Sequence, residues 1–451
     1  MTGSLLGFGL VGVVLLGVLL LAAFHTLVRR RPLRELLLRD TALFAHGWMG
    51  KLLVAGVLVA VPVSMVLTSV GGDRYGRYVD DSWQALLMLV VLAGSYLVSR
   101  RLVLTVLIGA VTVAVVSWVL TPDLAVGRNG DAAVLAHIDQ QARKGWLSSN
   151  HAVAVAEIDL EAGRPVRLAG IGAEDTTPME VGSMTKAMTG LVIADAVDRG
   201  EVRMEAPVAT YLPQLEGSPA GSATLQELVT HTAGYAEFGA ATVRRAAWMA
   251  PLGMNFFTAD SAQLIEETRN QTLSGRGRYA YSTLGSAIAG QAVAAAAHRS
   301  YPDLMRTRLF EPLGMSDTAI QVGRPLVAGG KSESGLPTQP WVMDAYAPGG
   351  AAVSTTRDLA KLATALLDGT APGMTALEPT TATDQSNSRI GSFWHTSTWV
   401  TGQTITHHAG QTSGYASYLG LDRPRHKAVI VLSDIANDGS DLGGQLLVDR
   451  T

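Results

Sequence analysis

The chain has 451 residues, of which 48% are hydrophobic and 16% charged, with no cysteine. Ordinary soluble proteins carry about 25% charged residues, so a charge-poor segment is expected, and the missing cysteine excludes disulfides and thiolate metal sites. Residues 131–451 hold 24 basic against 32 acidic side chains and no Lys/Arg run, a balance that argues against nucleic-acid binding.

Four apolar runs occupy 5–23, 52–70, 83–98 and 102–120. Each approaches the roughly 20 residues that cross a hydrocarbon core of about 30 Å. The last two read as a hairpin, because one continuous helix would be about 57 Å long and would hold Arg100 and Arg101 near the bilayer centre. Arg29, Arg30, Arg31, Arg34 and Arg39 follow the first run, and Arg100 and Arg101 sit between the third and fourth. Asp73, Asp80 and Asp81 balance the segment between the second and third. Positive charge faces the cytoplasm, so both termini are expected outside. No positive segment precedes the first run, so a cleaved signal peptide is not expected. Residues 1–128 are therefore expected to be a multi-pass region with lipid as its partner, anchoring an extracytoplasmic domain in the cell membrane. A sensor or transport role is the alternative.

From residue 131 the pattern becomes that of a mixed α/β domain. Val134, Leu135, Ile138 and Trp146 recur at helical spacing, and 151–160 and 164–173 read as strands of a hairpin around "EAG". The runs "SFWHTSTWVT", "TITHH", "GYASYLGLD" and "KAVIVLSD" read as further strands, and 184–199 and 284–298 as helices. Strands at both ends with helices inserted between them predict an α+β domain, 131–451, built on one antiparallel sheet.

The stretch "VGSMTKAMTG" places Lys186 three residues after Ser183, in a chain that uses lysine only six times among 35 basic residues. At i and i+3 of a helix the two side chains share a face. Lysine can be made to give up its proton and arginine cannot, so a buried amine beside a serine can activate the hydroxyl. The competing reading is an N-cap serine followed by a solvated lysine.

The segment 179–213 around this pair resembles the nucleophile region of the serine β-lactamase and penicillin-binding-protein-like family, in its class C and D-alanyl-D-alanine carboxypeptidase branch. The resemblance continues through "LQELVTHTAGY", "YAYSTLGSAIAG", "EPLGMSDT", "APGGAAVSTTRDLAKL" and "HHAGQTSGYASYLG", spans 131–451, and leaves out the apolar part. It implies an antiparallel sheet flanked by helices with a mostly helical subdomain. It also implies an acyl-enzyme mechanism without cofactor or metal.

The roles implied are Ser183 as nucleophile, Lys186 as its proton partner and Tyr281 as acid and base, with Tyr279 the residue most easily mistaken for it. His408-Ala409-Gly410 matches a His-x-Gly form of the third family element. A strand there would set the N–H of Gln411 opposite that of Ser183 as two oxyanion donors. His231 and Tyr235 are expected to shape a loop at the site entrance. A metal pair at His407 and His408 is disfavoured because neighbouring strand residues point to opposite faces. Two departures stand out: Thr283 replaces an asparagine that binds the substrate's acyl-side amide, and His408 replaces a lysine that grips a carboxylate.

The function expected from this is an esterase or peptidase acting on a small ester, amide or D-amino-acid peptide. A β-lactamase or cell-wall D,D-carboxypeptidase comes second, and a non-catalytic ligand sensor coupled to the membrane helices third. Oligomeric state leaves no trace in the sequence.

Overall fold

Alternation of side chains along strand β2 (Val153–Asp159) decides the architecture. Val153 and Val155 belong to one buried cluster, Ala154, Ala156 and Ile158 to another. A strand buried on both faces must lie inside a sheet covered on both sides. The computed structural model describes residues 127–143, 152–163, 165–332, 336–399, 401–436 and 439–448. The four apolar runs between 5 and 120 lie outside them, and among the described residues no helix is long and apolar enough to cross a membrane.

The main sheet has nine strands, all antiparallel. In spatial order they are β1 (Arg128–Gly130), β3 (Val166–Ile171), β2, β12 (Lys427–Ser433), β11 (Ala416–Asp422), β10 (Thr404–Gln411), β9 (His395–Thr398), β8 (Ser388–Ile390) and β7 (Thr381–Ala382). The expected hairpin at 151–173 and the expected strands in the C-terminal runs are present. A second, three-stranded sheet of β4 (Met179–Glu180), β6 (Ala352–Ser354) and β5 (Ala319–Ile320) was not expected. Its strands are two or three residues long, too short for any periodicity to register.

One face of the main sheet carries Val153, Val155, Val429 and Val431 against Val134 and Ile138 of α1 (Ala132–Arg143) and Leu446 and Leu447 of α9 (Gly439–Val448). Trp146, expected on the first of these helices, lies outside the described residues. The other face carries the larger cluster, whose centre is helix α2 (Met184–Asp198). Every residue of α2 from Met184 to Ala196 is buried, as a helix apolar on all sides requires. Around it lie α3 (Leu225–Val229), α4 (Ala240–Met249), α5 (Ser261–Arg269), α6 (Thr283–Ala296), α7 (Tyr301–Met305) and α8 (Thr356–Leu367). Leu191, fully buried on α2, would cost about 2–5 kcal/mol if cut to alanine. Position 190 within the helix takes glycine because a Cβ there would stand 2.0 Å from the Ser392 carbonyl oxygen.

Candidate active site

The first turn of α2 is held against the end of β10 by backbone approach. A Cβ on Gly410 would stand 1.9 Å from the Val181 carbonyl oxygen, and one on Gly182 2.7 Å from that of Gln411. Gly182 also has φ +49°, which a side chain would oppose. Ser417 on β11 donates to the Val181 carbonyl at 2.7 Å and locks the contact. The hairpin bond from Thr412 N–H to Tyr415 carbonyl fixes the ladder register. Alternation in an antiparallel pair then turns the Gln411 N–H away from β11, toward the 181–183 turn. β9 pairs with β10 only as far as His407, so the turn faces β10 beyond that point.

Ser183 enters α2 with helical dihedrals and its side chain makes no capping bond, which corrects the cap reading. Its Oγ instead accepts from the Tyr281 hydroxyl at 2.7 Å and from Lys186 Nζ at 3.1 Å. Lys186 is 0% exposed. It also donates to the Gly349 carbonyl at 2.6 Å, and its Nζ lies 4.8 Å from the Tyr281 ring centre. The solvated-lysine reading therefore fails. Burial pulls the Lys186 amine down to about 7, against the opposing pull of Glu237. Burial pushes the Tyr281 phenol up, more than its bond to Ser183 and a hydrogen bond from Thr283 hold it down. At neutral pH the triad thus holds a protonated phenol and an amine poised between its two states.

Tyr281 is placed from both sides by His231. Ala280 N–H donates to the His231 carbonyl at 2.8 Å, Ser282 N–H donates to His231 Nδ1 at 3.2 Å, and the two rings sit 4.6 Å apart. Ser282 caps α6 by accepting from Gly285 N–H and donates to the Ala236 carbonyl at 2.7 Å. In the loop after α3, His231 is 2% and Tyr235 3% exposed, and the Tyr235 hydroxyl donates to the Ala220 carbonyl at 2.8 Å. His231 has φ +56°, a conformation that costs energy and persists only where the surroundings enforce it. Tyr279 packs edge-on against His231 and His395 and has no bond to Ser183.

Thr283 is buried at the start of α6, with its Cγ2 in the space a Cβ on Gly349 would fill. His408, on β10, points to the same face as Gly410. Its Nδ1 donates to the Ala409 carbonyl at 2.6 Å, which leaves Nε2 the bare acceptor of a neutral ring. That Nε2 is buried with no partner among the described residues. Burial first, then the neighbouring His395, which competes for a proton, and the Lys186 ammonium hold His408 well below the ordinary histidine range. His407 faces the other way, stacked on Tyr418 and bonded to Ser397.

The beta-lactamase family model matches residues 127–447. The chain belongs to the beta-lactamase family. It is 28% identical over 193 residues to Beta-lactamase of Escherichia coli strain K12, covering 41% of this chain and 46% of that one. Against Esterase EstB of Burkholderia gladioli it is 36% identical over 97 residues, covering 21% of this chain and 22% of that one. The aligned parts thus span less than half of these relatives' length. The crystal structure of a beta-lactamase/D-alanine carboxypeptidase from Pseudomonas syringae superposes with a TM-score of 0.60 at 16% identity, covering 71% of this chain and 99% of that one. At that identity the likeness establishes the α+β fold of the family.

Three supports of the site went unseen in the sequence. The Gly349 carbonyl lies in the "APGG" stretch, where the Pro348 carbonyl also takes a bond from Thr189 and the Ala352 N–H bonds Thr185. Buried Glu180 accepts from Gln321 and the Trp341 N–H, while Trp341 Nε1 donates to Ser413 beside β10. Glu237, exposed on the loop after "HTAGY", is the carboxylate that acts on Lys186. Only the "APGG" stretch left a sequence signal, and that signal named no role.

Proposed function

We propose that this protein is a membrane-anchored, extracytoplasmic serine hydrolase, an esterase or peptidase that works through an acyl-enzyme on Ser183. The observation that carries the reading is the convergence of Lys186 and Tyr281 on one serine oxygen at 3.1 and 2.7 Å. The amine in its neutral form takes the Ser183 hydroxyl proton as Oγ bonds to the substrate carbonyl carbon. The oxygen that becomes negative lies between the N–H groups of Ser183 and Gln411, donors worth about 2.7–4 kcal/mol each in such sites. The Tyr281 phenol, held protonated, gives its proton to the departing oxygen or nitrogen and is resupplied from Lys186. Water then attacks the acyl-enzyme with the same groups in reverse roles. The membrane location rests on the four apolar runs and their flanking arginines.

A β-lactamase or D,D-carboxypeptidase is the second reading, favoured by the likeness to the Escherichia coli enzyme and opposed by Thr283 and by the neutral His408. Labelling the full chain with a fluorophosphonate and, in parallel, a fluorescent penicillin tests both. Fluorophosphonate labelling that disappears in Ser183→Ala supports the hydrolase, and added penicillin labelling favours the second reading. Absence of both labels from folded protein refutes the hydrolase and leaves a ligand sensor.

A further inference from the structure

The polar groups around Ser183 are unbalanced in a way that bears on the substrate. Lys186 is the one basic residue among the side chains that act on this cluster, and its charge is only partial near neutrality. The other charged side chains acting on the cluster are Glu237 and Asp384. Both are exposed. His231, His395, His407 and His408 all stay neutral because burial disfavours their charged forms. No arginine acts on the cluster among the described residues.

Glu237 is fixed in place without using its carboxylate. Its backbone carbonyl accepts the Leu284 N–H at 3.0 Å in the first turn of α6, and the neighbouring Ala236 carbonyl accepts from Ser282. No hydrogen bond or ion pair to its side chain is present among the described residues. Burial raises the Glu237 carboxyl, and only the partly charged Lys186 draws it back down. A carboxylate held by the first turn of α6, with no hydrogen-bonded or ion-paired cation among the described residues, complements an incoming one. The second observation is independent of it. His408 Nε2 is an acceptor in a side chain only 4% exposed, has no donor, and lies on the β10 face that carries Gly410 toward the nucleophile turn. A bare acceptor is satisfied by an N–H or O–H and repelled by a carboxylate oxygen.

We infer that the site selects esters or amides that carry an ammonium group, paired by Glu237, and disfavours substrates with a carboxylate near the scissile bond. This rests on the serine hydrolase reading above and adds the substrate class to it. Glu237 is then a specificity residue, and the unpartnered His408 acceptor makes the opposite choice unfavourable.

The test uses two series of esters on the full chain. In one, 4-nitrophenyl benzoates carry a 4-aminomethyl, 4-ethyl or 4-carboxymethyl group; in the other, phenyl acetates carry the same three groups on the leaving phenol. The expected result is a kcat/KM about fivefold or more in favour of the aminomethyl over the ethyl ester in at least one series, lower again for carboxymethyl, and weakened by salt. In Glu237→Gln the preference collapses toward one, and in Glu237→Lys the carboxymethyl ester gains over the aminomethyl one. Because Glu237 also acts on Lys186, its replacement alters turnover of all three esters together, and the ratio removes that common change. Equal turnover of the three groups in both series, or a preference that survives Glu237→Gln, overturns the inference. Turnover of the ethyl esters that is lost in Ser183→Ala keeps the hydrolase reading standing in either case, so the two failures are distinct.

Discussion

Replacing Lys186 with methionine is expected to abolish turnover and stabilise the fold, and the size of the second effect follows from burial. The amine falls from an ordinary 10.5 to about 7 in the folded chain. At about 1.4 kcal/mol per tenfold change, holding it in place costs the fold roughly 4 kcal/mol at pH 7. The folded value lies below the unfolded one, so the penalty is complete below pH 7. It fades as pH rises toward 10.5, where the amine is neutral in both states. By pH 10 it is down to about 1 kcal/mol. Methionine removes the penalty but leaves the Gly349 carbonyl without its 2.6 Å donor, a loss of about 1–3 kcal/mol. The net expectation is a gain of roughly 1–3 kcal/mol at pH 7 that vanishes or reverses by pH 10. Urea denaturation followed by tryptophan fluorescence, at pH 6, 7, 8.5 and 10, reads the difference between the two proteins. Ionisations at sites distant from Lys186 cancel in that difference. A methionine variant that is less stable at pH 7, or a difference that does not change with pH, would show that the buried amine carries no such penalty.

The same amine sets the acid side of the pH–rate profile: kcat/KM should rise with pH through about 7, since the neutral form accepts the serine proton. Glu237→Gln should move that limb to lower pH, because its charge favours the ammonium; a limb that stays in place contradicts the coupling. Gly410→Ala should reduce kcat by about 100- to 1,000-fold, since the new methyl drives β10 from the nucleophile turn and displaces the Gln411 donor. Fluorophosphonate labelling at an unchanged rate in that variant would show that the approach is not needed. His231→Ala leaves the buried Ser282 N–H without an acceptor, an expected loss of about 1–3 kcal/mol of stability by urea denaturation along with a fall in kcat. Unaltered stability would show that His231 does not hold Tyr281.

The site was legible where chemistry is local in sequence. Ser183 and Lys186 share a helix face by spacing alone, and the short apolar runs within 151–160 and 427–434, bounded by turn residues, were enough to find the central strands. Tyr281 could be singled out from Tyr279 only through the family motif, and Gln411 only through the same resemblance. What escaped was set by distant contacts. The carbonyl that holds Lys186 is 163 residues away, His231 reaches 51 residues to Ser282, and Glu180 reaches 161 to Trp341. The cap reading of Ser183 failed for a related reason. Tertiary partners claim its hydroxyl before the helix end can, and backbone packing at Gly182 and Gly410 takes over the work of a cap.

The proposed mechanism turns on acylation of Ser183. Incubating the full chain with 4-nitrophenyl acetate, quenching in acid and mapping the adduct by peptide mass spectrometry tests it directly. A 42 Da adduct, the mass added by one acetyl group, is expected on the Ser183 peptide. It should be absent in Ser183→Ala and slow to form in Lys186→Met. An adduct on another residue, or turnover of the ester by Ser183→Ala at the unaltered rate, would contradict it.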